Sequence, residues 1–154
     1  MHIEKHFRFP LLVLGAALVA TIGCGGPYDA VVTGEVTLNG ETLGSGSVAF
    51  LPADGGPTAY AEISSDGRYD VYTGKERGLS SGDYSVTVVS LEPPATERSQ
   101  VGGPPAPGKA LTPPWYAMAE YSRLKFQVDS GSNEINLELN TTPPEGWQPT
   151  RRRR

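Results

Sequence analysis

The sequence predicts an all-β protein, a seven-stranded antiparallel Greek-key β-sandwich, and three observations carry that prediction. Seven segments of 5 to 9 residues alternate apolar and polar side chains, the period-2 pattern of half-buried strands. The chain holds 19 Gly and 14 Pro, punctuation that with short apolar runs favours strands and turns over helices. With 154 residues and 38% hydrophobic content, there is enough material for one domain with a core and hardly for two.

The organising stretch is Val31 to Pro52, VVTGEVTLNGETLGSGSVAFLP, expected as an antiparallel pair. Val32, Gly34, Val36 and Leu38 fall on one face, with Thr33, Glu35 and Thr37 on the other. Asn39-Gly40 tolerates positive φ and turns the chain. Val48 and Phe50 resume the alternation, and Pro52 ends it because it has no N–H to donate. Thr58 to Ser64 and Arg68 to Tyr72 read as a hairpin through Ser65-Asp66-Gly67, with Ala59, Ala61, Ile63, Tyr69 and Val71 inward. Gly74 to Gly82 is a polar connection with room for a short helical turn. Asp83 to Leu91, DYSVTVVSL, is the clearest strand, with Tyr84, Val86 and Val88 on one face.

Glu92 to Pro114 is a 23-residue connection holding seven prolines, either an extended docking surface or a mobile insertion. Arg123 to Val128 and Glu134 to Leu139 are the last two strands, and Gly131-Ser132-Asn133 is expected to turn between them. Their inward residues are Leu124, Phe126 and Val128, then Ile135, Leu137 and Leu139. Residues 141–154, TTPPEGWQPTRRRR, hold too little apolar surface to fold alone and are expected as a disordered tail.

Residues 1–23 read as a signal peptide. Lys5 and Arg8 precede FPLLVLGAALVATIG, an uncharged run too short, at about 1.5 Å per helical residue, for a hydrocarbon core of ~30 Å. Gly23-Cys24-Gly25-Gly26 follows and resembles the bacterial lipoprotein cleavage site, with Thr21 where that pattern usually has Leu. The resemblance implies acylation of Cys24, a tether over residues 24–30 and attachment to a membrane. Gly25 rather than Asp after the cysteine implies the outer membrane over the inner. Ordinary secretion or an uncleaved anchor is the alternative.

Charge and residue counts exclude several functions. The formal charge is −4, but residues 24–150 carry 7 Lys or Arg against 16 Asp or Glu, a net −9, before Arg151 to Arg154 return four positive charges. Such a body repels phosphate, so no nucleic-acid partner is expected. The arginine run either touches anionic lipid or stays solvated. Cys24 is the only cysteine, which rules out an intrachain disulfide. His2 and His6 fall in the leader, so a processed chain has no histidine for Ser-His-Asp or Cys-His catalysis or for zinc. No cofactor and no metal is expected.

Asp54, Asp66 and Asp70 are weighed as calcium ligands, but no loop has EF-hand spacing and an Asp-Gly pair is ordinarily a turn. Asp66 and Asp70 are also the carboxylates a hydrolase would use, yet nothing sets two acids around a cleft. Trp115, Tyr116 and Tyr121, in PPWYAMAEYS, are the candidate binding surface. Such a cluster either closes the open end of a sandwich or stacks on sugars. The sequon Asn140-Thr141-Thr142 carries no meaning in a bacterial lipoprotein.

One set of residues resembles a known family. Gly34-x-Val36 with Asn39-Gly40, Leu43 and Val48-x-Phe50-x-Pro52, then Asp66-Gly67-Arg68-Tyr69 and Gly82-Asp83-Tyr84-x-Val86, resemble the carboxypeptidase regulatory-like domain. That domain is a transthyretin-like (prealbumin-like) sandwich, broadly immunoglobulin-like in layout. Pro113 to Tyr116, Ser122-Arg123-Leu124 through Val128, and Gly131-Ser132-Asn133 resemble the ending of small bacterial lipoproteins that carry it. The resemblance spans roughly Ala30 to Asn140.

It implies a non-enzymatic module. In carboxypeptidases the related domain accompanies a zinc catalytic domain that has no counterpart in these 154 residues. Hydroxyisourate hydrolases of the transthyretin fold use histidines and a Ser-rich C-terminal tetrapeptide, and the expected processed chain has neither. The expected function is therefore a lipid-anchored structural or protein-interaction module of the cell envelope. Its partner is an envelope protein or polysaccharide, and the alternative is a carbohydrate-binding module.

Overall fold

The computed structural model describes residues 26–94 and 108–149. Among these residues the strands are β1 (Ala30–Leu38), β2 (Glu41–Thr42), β3 (Gly46–Pro52), β4 (Ala59–Ile63), β5 (Arg68–Asp70) and β6 (Tyr72–Thr73). They continue with β7 (Glu76–Arg77), β8 (Gly82–Val89), β9 (Leu124–Val128), β10 (Gly131–Glu134) and β11 (Leu137–Leu139). A 3-10 turn over Pro114–Ala117 and a single helical turn, α1 (Ala119–Ser122), precede β9.

Two sheets enclose one core, as an all-β sandwich requires. The first runs β7-β6-β4-β3-β8-β9, antiparallel throughout. The second is built on β1. β10 and β11 pair with β1 in parallel, while β5 and β2 pair with it antiparallel at overlapping positions, and so lie on its other side. The predicted alternation places the core: Val32 and Val36, Val48 and Phe50, Val86 and Val88, and Leu137 are all fully buried in one cluster. Phe50 sits at its centre, 6.2 Å from the Tyr69 ring and 6.1 Å, edge-on, from Tyr84. Burying a side chain of this size contributes roughly 1.5–3 kcal/mol.

Four expectations are corrected. β1 and β3 are not a pair. Asn39 (φ 52°) and Gly40 (φ 84°) return the chain only as far as the two-residue β2, after which it crosses to the opposite sheet and buries Leu43 on the way. The hairpin turn at residues 64–67 forms, with Gly67 N–H donating to the Ser64 carbonyl, but its returning arm splits between sheets. β5 joins β1, β6 joins β4, and Val71 is buried at the crossing.

Residues 131–133 are strand rather than turn. Asn133 takes the Asp129 N–H (3.0 Å) and donates to the Asp129 carbonyl (2.7 Å), so the chain swings from β9 to the other sheet and runs parallel to β1. Finally, the segment expected to be a disordered tail is placed against the domain as far as residue 149. Trp147 packs edge-on against Trp115 at 5.0 Å, and the Arg123 guanidinium donates to the Glu145 carbonyl.

The final strand breaks at Ile135-Asn136, between β10 and β11, and both backbone polar groups of Ile135 find partners there. Ile135 N–H donates to the Thr33 carbonyl, and its own carbonyl, turned inward, accepts from the buried Tyr69 hydroxyl. Asn136 Oδ1 replaces the missing ladder acceptor for Glu35 N–H (2.9 Å). Gly34, directly opposite Tyr69, makes the space, because a Cβ there would overlap the Ile135 carbonyl.

Two outcomes follow from this arrangement. Gly34→Ala lowers the urea midpoint by the equivalent of about 1–3 kcal/mol at unchanged m, because the overlap is with backbone and no rotamer relieves it; an unshifted midpoint contradicts this account of the break. Burial pushes the Tyr69 phenol well above its ordinary 10.0. A raised phenol keeps its contribution below the unfolded value and loses it as pH climbs past about 10, where the unfolded chain ionises first. Tyr69→Phe therefore costs roughly 1 kcal/mol near neutrality yet shows a shallower alkaline loss of stability, read as urea midpoints from about pH 8 to 11.

Candidate functional site: an open trough between diverging strands

β4 and β5 leave the same turn and then enter different sheets, so the outer surface between them opens into a trough of about 1350 Å³. Inward Ala59, Ala61 and Ile63 force Tyr60 and Glu62 outward on β4. Tyr72 is the register partner of Tyr60, which puts both side chains on one face. Tyr60 is 58% exposed and Tyr72 41%, unusual for rings of this size in a domain that buries most of its large apolar residues.

Carboxylates ring these tyrosines. Glu35, Glu62, Asp70 and Glu134 line the trough against one cation, Arg68. Arg68 spans Glu35 (3.1 Å) and Asp66 (3.7 Å), an exposed arrangement that positions side chains more than it stabilises the fold. Arg77 Nε contacts both oxygens of Asp70, at 2.8 and 3.1 Å, and this pairing raises its pKa further. The Ser64 hydroxyl (2.6 Å) and the Arg68 N–H hold the Asp66 carboxyl below its usual range. Asp66, in the turn beside the trough and not in its lining, is thus an ionised acceptor, and Asp70 is held by a guanidinium. Carboxylates and exposed rings on one concave surface can accept hydrogen bonds and stack against a ligand.

Asp54 lies apart, at a small hollow beside Pro52 and Asp83. Among the described residues no three His, Cys, Asp or Glu side chains converge on a point where a metal would sit. Nor is any helix among them long and apolar enough to cross a membrane.

The aromatic residues expected as a binding surface point elsewhere. Trp115 and Tyr116 are only 7% and 5% exposed, and Tyr121 is half-buried against the same core. Pro113 starts a 3-10 turn that folds the two rings over β8, where Trp115 meets Tyr116 (6.0 Å) and Trp147. The Tyr116 hydroxyl accepts from Asn140 N–H (3.0 Å). Of the two readings of this cluster, closure of the sandwich matches its burial.

The Pro-rich connection is stapled at its base, where Leu91 bridges Ala110 and Glu92 N–H donates to the Lys109 carbonyl (2.8 Å). Its residues 95–107, together with Cys24 and Arg151 to Arg154, lie outside the described residues. Tyr60 and Tyr72 went unselected in the sequence, although their outward place in the alternation of TAYAEIS and RYDVY was readable there.

Comparison with protein-family models, with curated proteins and with solved structures finds no match to this chain. The likeness to the carboxypeptidase regulatory-like domain therefore rests on its sequence motifs and on a sandwich architecture that many unrelated proteins share.

Proposed function

We propose that the protein is a non-enzymatic binding module of the bacterial cell envelope, tied to the membrane, the outer one for preference, through a lipid on Cys24. The observation that carries the binding role is the trough: a broad concave surface with two exposed aromatic rings and four carboxylates in its lining. The anchor is supported by the sequence around Cys24 and by the geometry downstream of it. Only five residues, Gly25 to Asp29, separate Cys24 from Ala30 at the start of β1. Asp29 is itself clamped, accepting the Ser81 N–H (2.7 Å) and hydroxyl (2.8 Å), so a lipid there would hold the domain close to the bilayer. Several acyl chains together, at ~0.8 kcal/mol per buried CH₂, would make that attachment durable.

Two measurements test the reading. Metabolic palmitate labelling marks the wild-type chain and not Cys24→Ser, with the label in the outer-membrane fraction; labelled Cys24→Ser, or unlabelled wild type, removes the anchor. Tyrosine nitration read by mass spectrometry modifies Tyr60 and Tyr72 readily in the purified chain and at least about fivefold more slowly in intact envelopes, where a partner fills the trough. Equal rates in both settings defeat the binding role.

A further inference from the structure

We infer that the trough binds an uncharged oligosaccharide, its rings stacked on Tyr60 and Tyr72 and its hydroxyls held by Glu62 and Glu134. This rests on the binding role proposed above and names its ligand. The two tyrosines are cross-strand partners, so their Cβ atoms stand about 5 Å apart and the rings make one platform on rigid strands. An exposed tyrosine offers a sugar a large apolar face at small entropic cost, having two side-chain torsions to fix.

The polar groups beside this platform are arranged in matched couples. Glu62 is two residues from Tyr60 on the same face, and its register partner on β3 is Ser47. On the opposite wall, Glu134 of β10 is the register partner of Thr33 on β1. Each wall thus presents a carboxylate next to a hydroxyl, which together accept from and donate to the vicinal hydroxyls of a sugar. Glu62 and Glu134 make no ion pair with any described residue, whereas Glu35 and Asp70 are matched by Arg68 and Arg77.

Charge narrows the choice. Acidic sugars are disfavoured by four lining carboxylates against one arginine, within a body of net −9. A basic peptide is the competing occupant, but its natural partners Glu35 and Asp70 already hold guanidinium groups, and the two free carboxylates stand on opposite walls instead of forming one anionic patch.

The test is calorimetric titration of the full chain in detergent micelles. The probes are neutral hexasaccharides of β-linked glucose and of N-acetylglucosamine, an acidic oligogalacturonate and a tetra-arginine peptide. At least one neutral sugar binds, the affinity changes less than about twofold between low and physiological salt, and Tyr60→Ala and Tyr72→Ala each weaken binding about tenfold. Tyr60→Phe retains most of it, and unchanged urea midpoints show that the variants are folded. The proposal is overturned if neither neutral sugar binds, if the acidic sugar or the peptide binds more tightly than both, or if neither alanine variant weakens binding. Protection from nitration in envelopes without sugar binding would leave the binding role standing and remove only the ligand class.

Discussion

The inward-turned carbonyl of Ile135 is the constraint on which the rest of the sandwich depends. A buried carbonyl without a partner costs about 1–3 kcal/mol, and here it would interrupt the ladder between the first strand and the last. The Tyr69 hydroxyl removes that cost, Asn136 restores the acceptor that Glu35 loses, and the bare Cα of Gly34 leaves room for both ring and carbonyl. Three distant parts of the chain are thereby fixed at one point. With Tyr69 held over Gly34, β5 must stay on β1, while β4 is committed to β3 through five register pairs. The two arms of one turn are pulled into different sheets, and the trough is the space this leaves. Fold closure and candidate site have a common origin.

The cations of that surface are already engaged. Arg77 pairs with Asp70 within one short stretch, and Arg68 reaches both Asp66 beside it and Glu35 on the neighbouring β1. Glu62 and Glu134 keep their charge without an ion pair to any described residue, and a surface of that sign disfavours anions. The aromatic residues follow the opposite logic at the far end of β8: Trp115, Tyr116 and Trp147 spend their apolar area on one another and on the core.

Much of this was legible in the sequence because alternation is a local signal. The inward faces of the strands at residues 30–38, 46–52, 59–63 and 82–89 appear as the apolar alternation marks them. What alternation cannot encode is which sheet a strand joins. The crossings at residues 43–46, at Val71 and at 129–130 are decided by tertiary partners, and so a pair became two sheets and a turn became the parallel β10. Leu79, buried beside Ala30 in a polar-looking connection, was hidden for the same reason. Trp115 and Trp147 stand 32 positions apart in proline-rich surroundings, and no short-range pattern announces that they meet. Tyr60 and Tyr72 share the difficulty: each is an ordinary outward residue, and their meaning lies in being opposite each other.

The parallel pairing of β1 with β10 and β11 also fixes how the domain would carry tension. β1 starts at Ala30 and ends at Leu38, and β11 ends beside it at Leu139, so forces applied ahead of β1 and behind β11 would pull along the strands in opposite directions. Stretched this way, the ladder is loaded in shear, and its hydrogen bonds resist together instead of parting one after another as in a hairpin pulled open from its mouth. Pulled by the start of its first strand and the end of its last, the sandwich is built to stay folded.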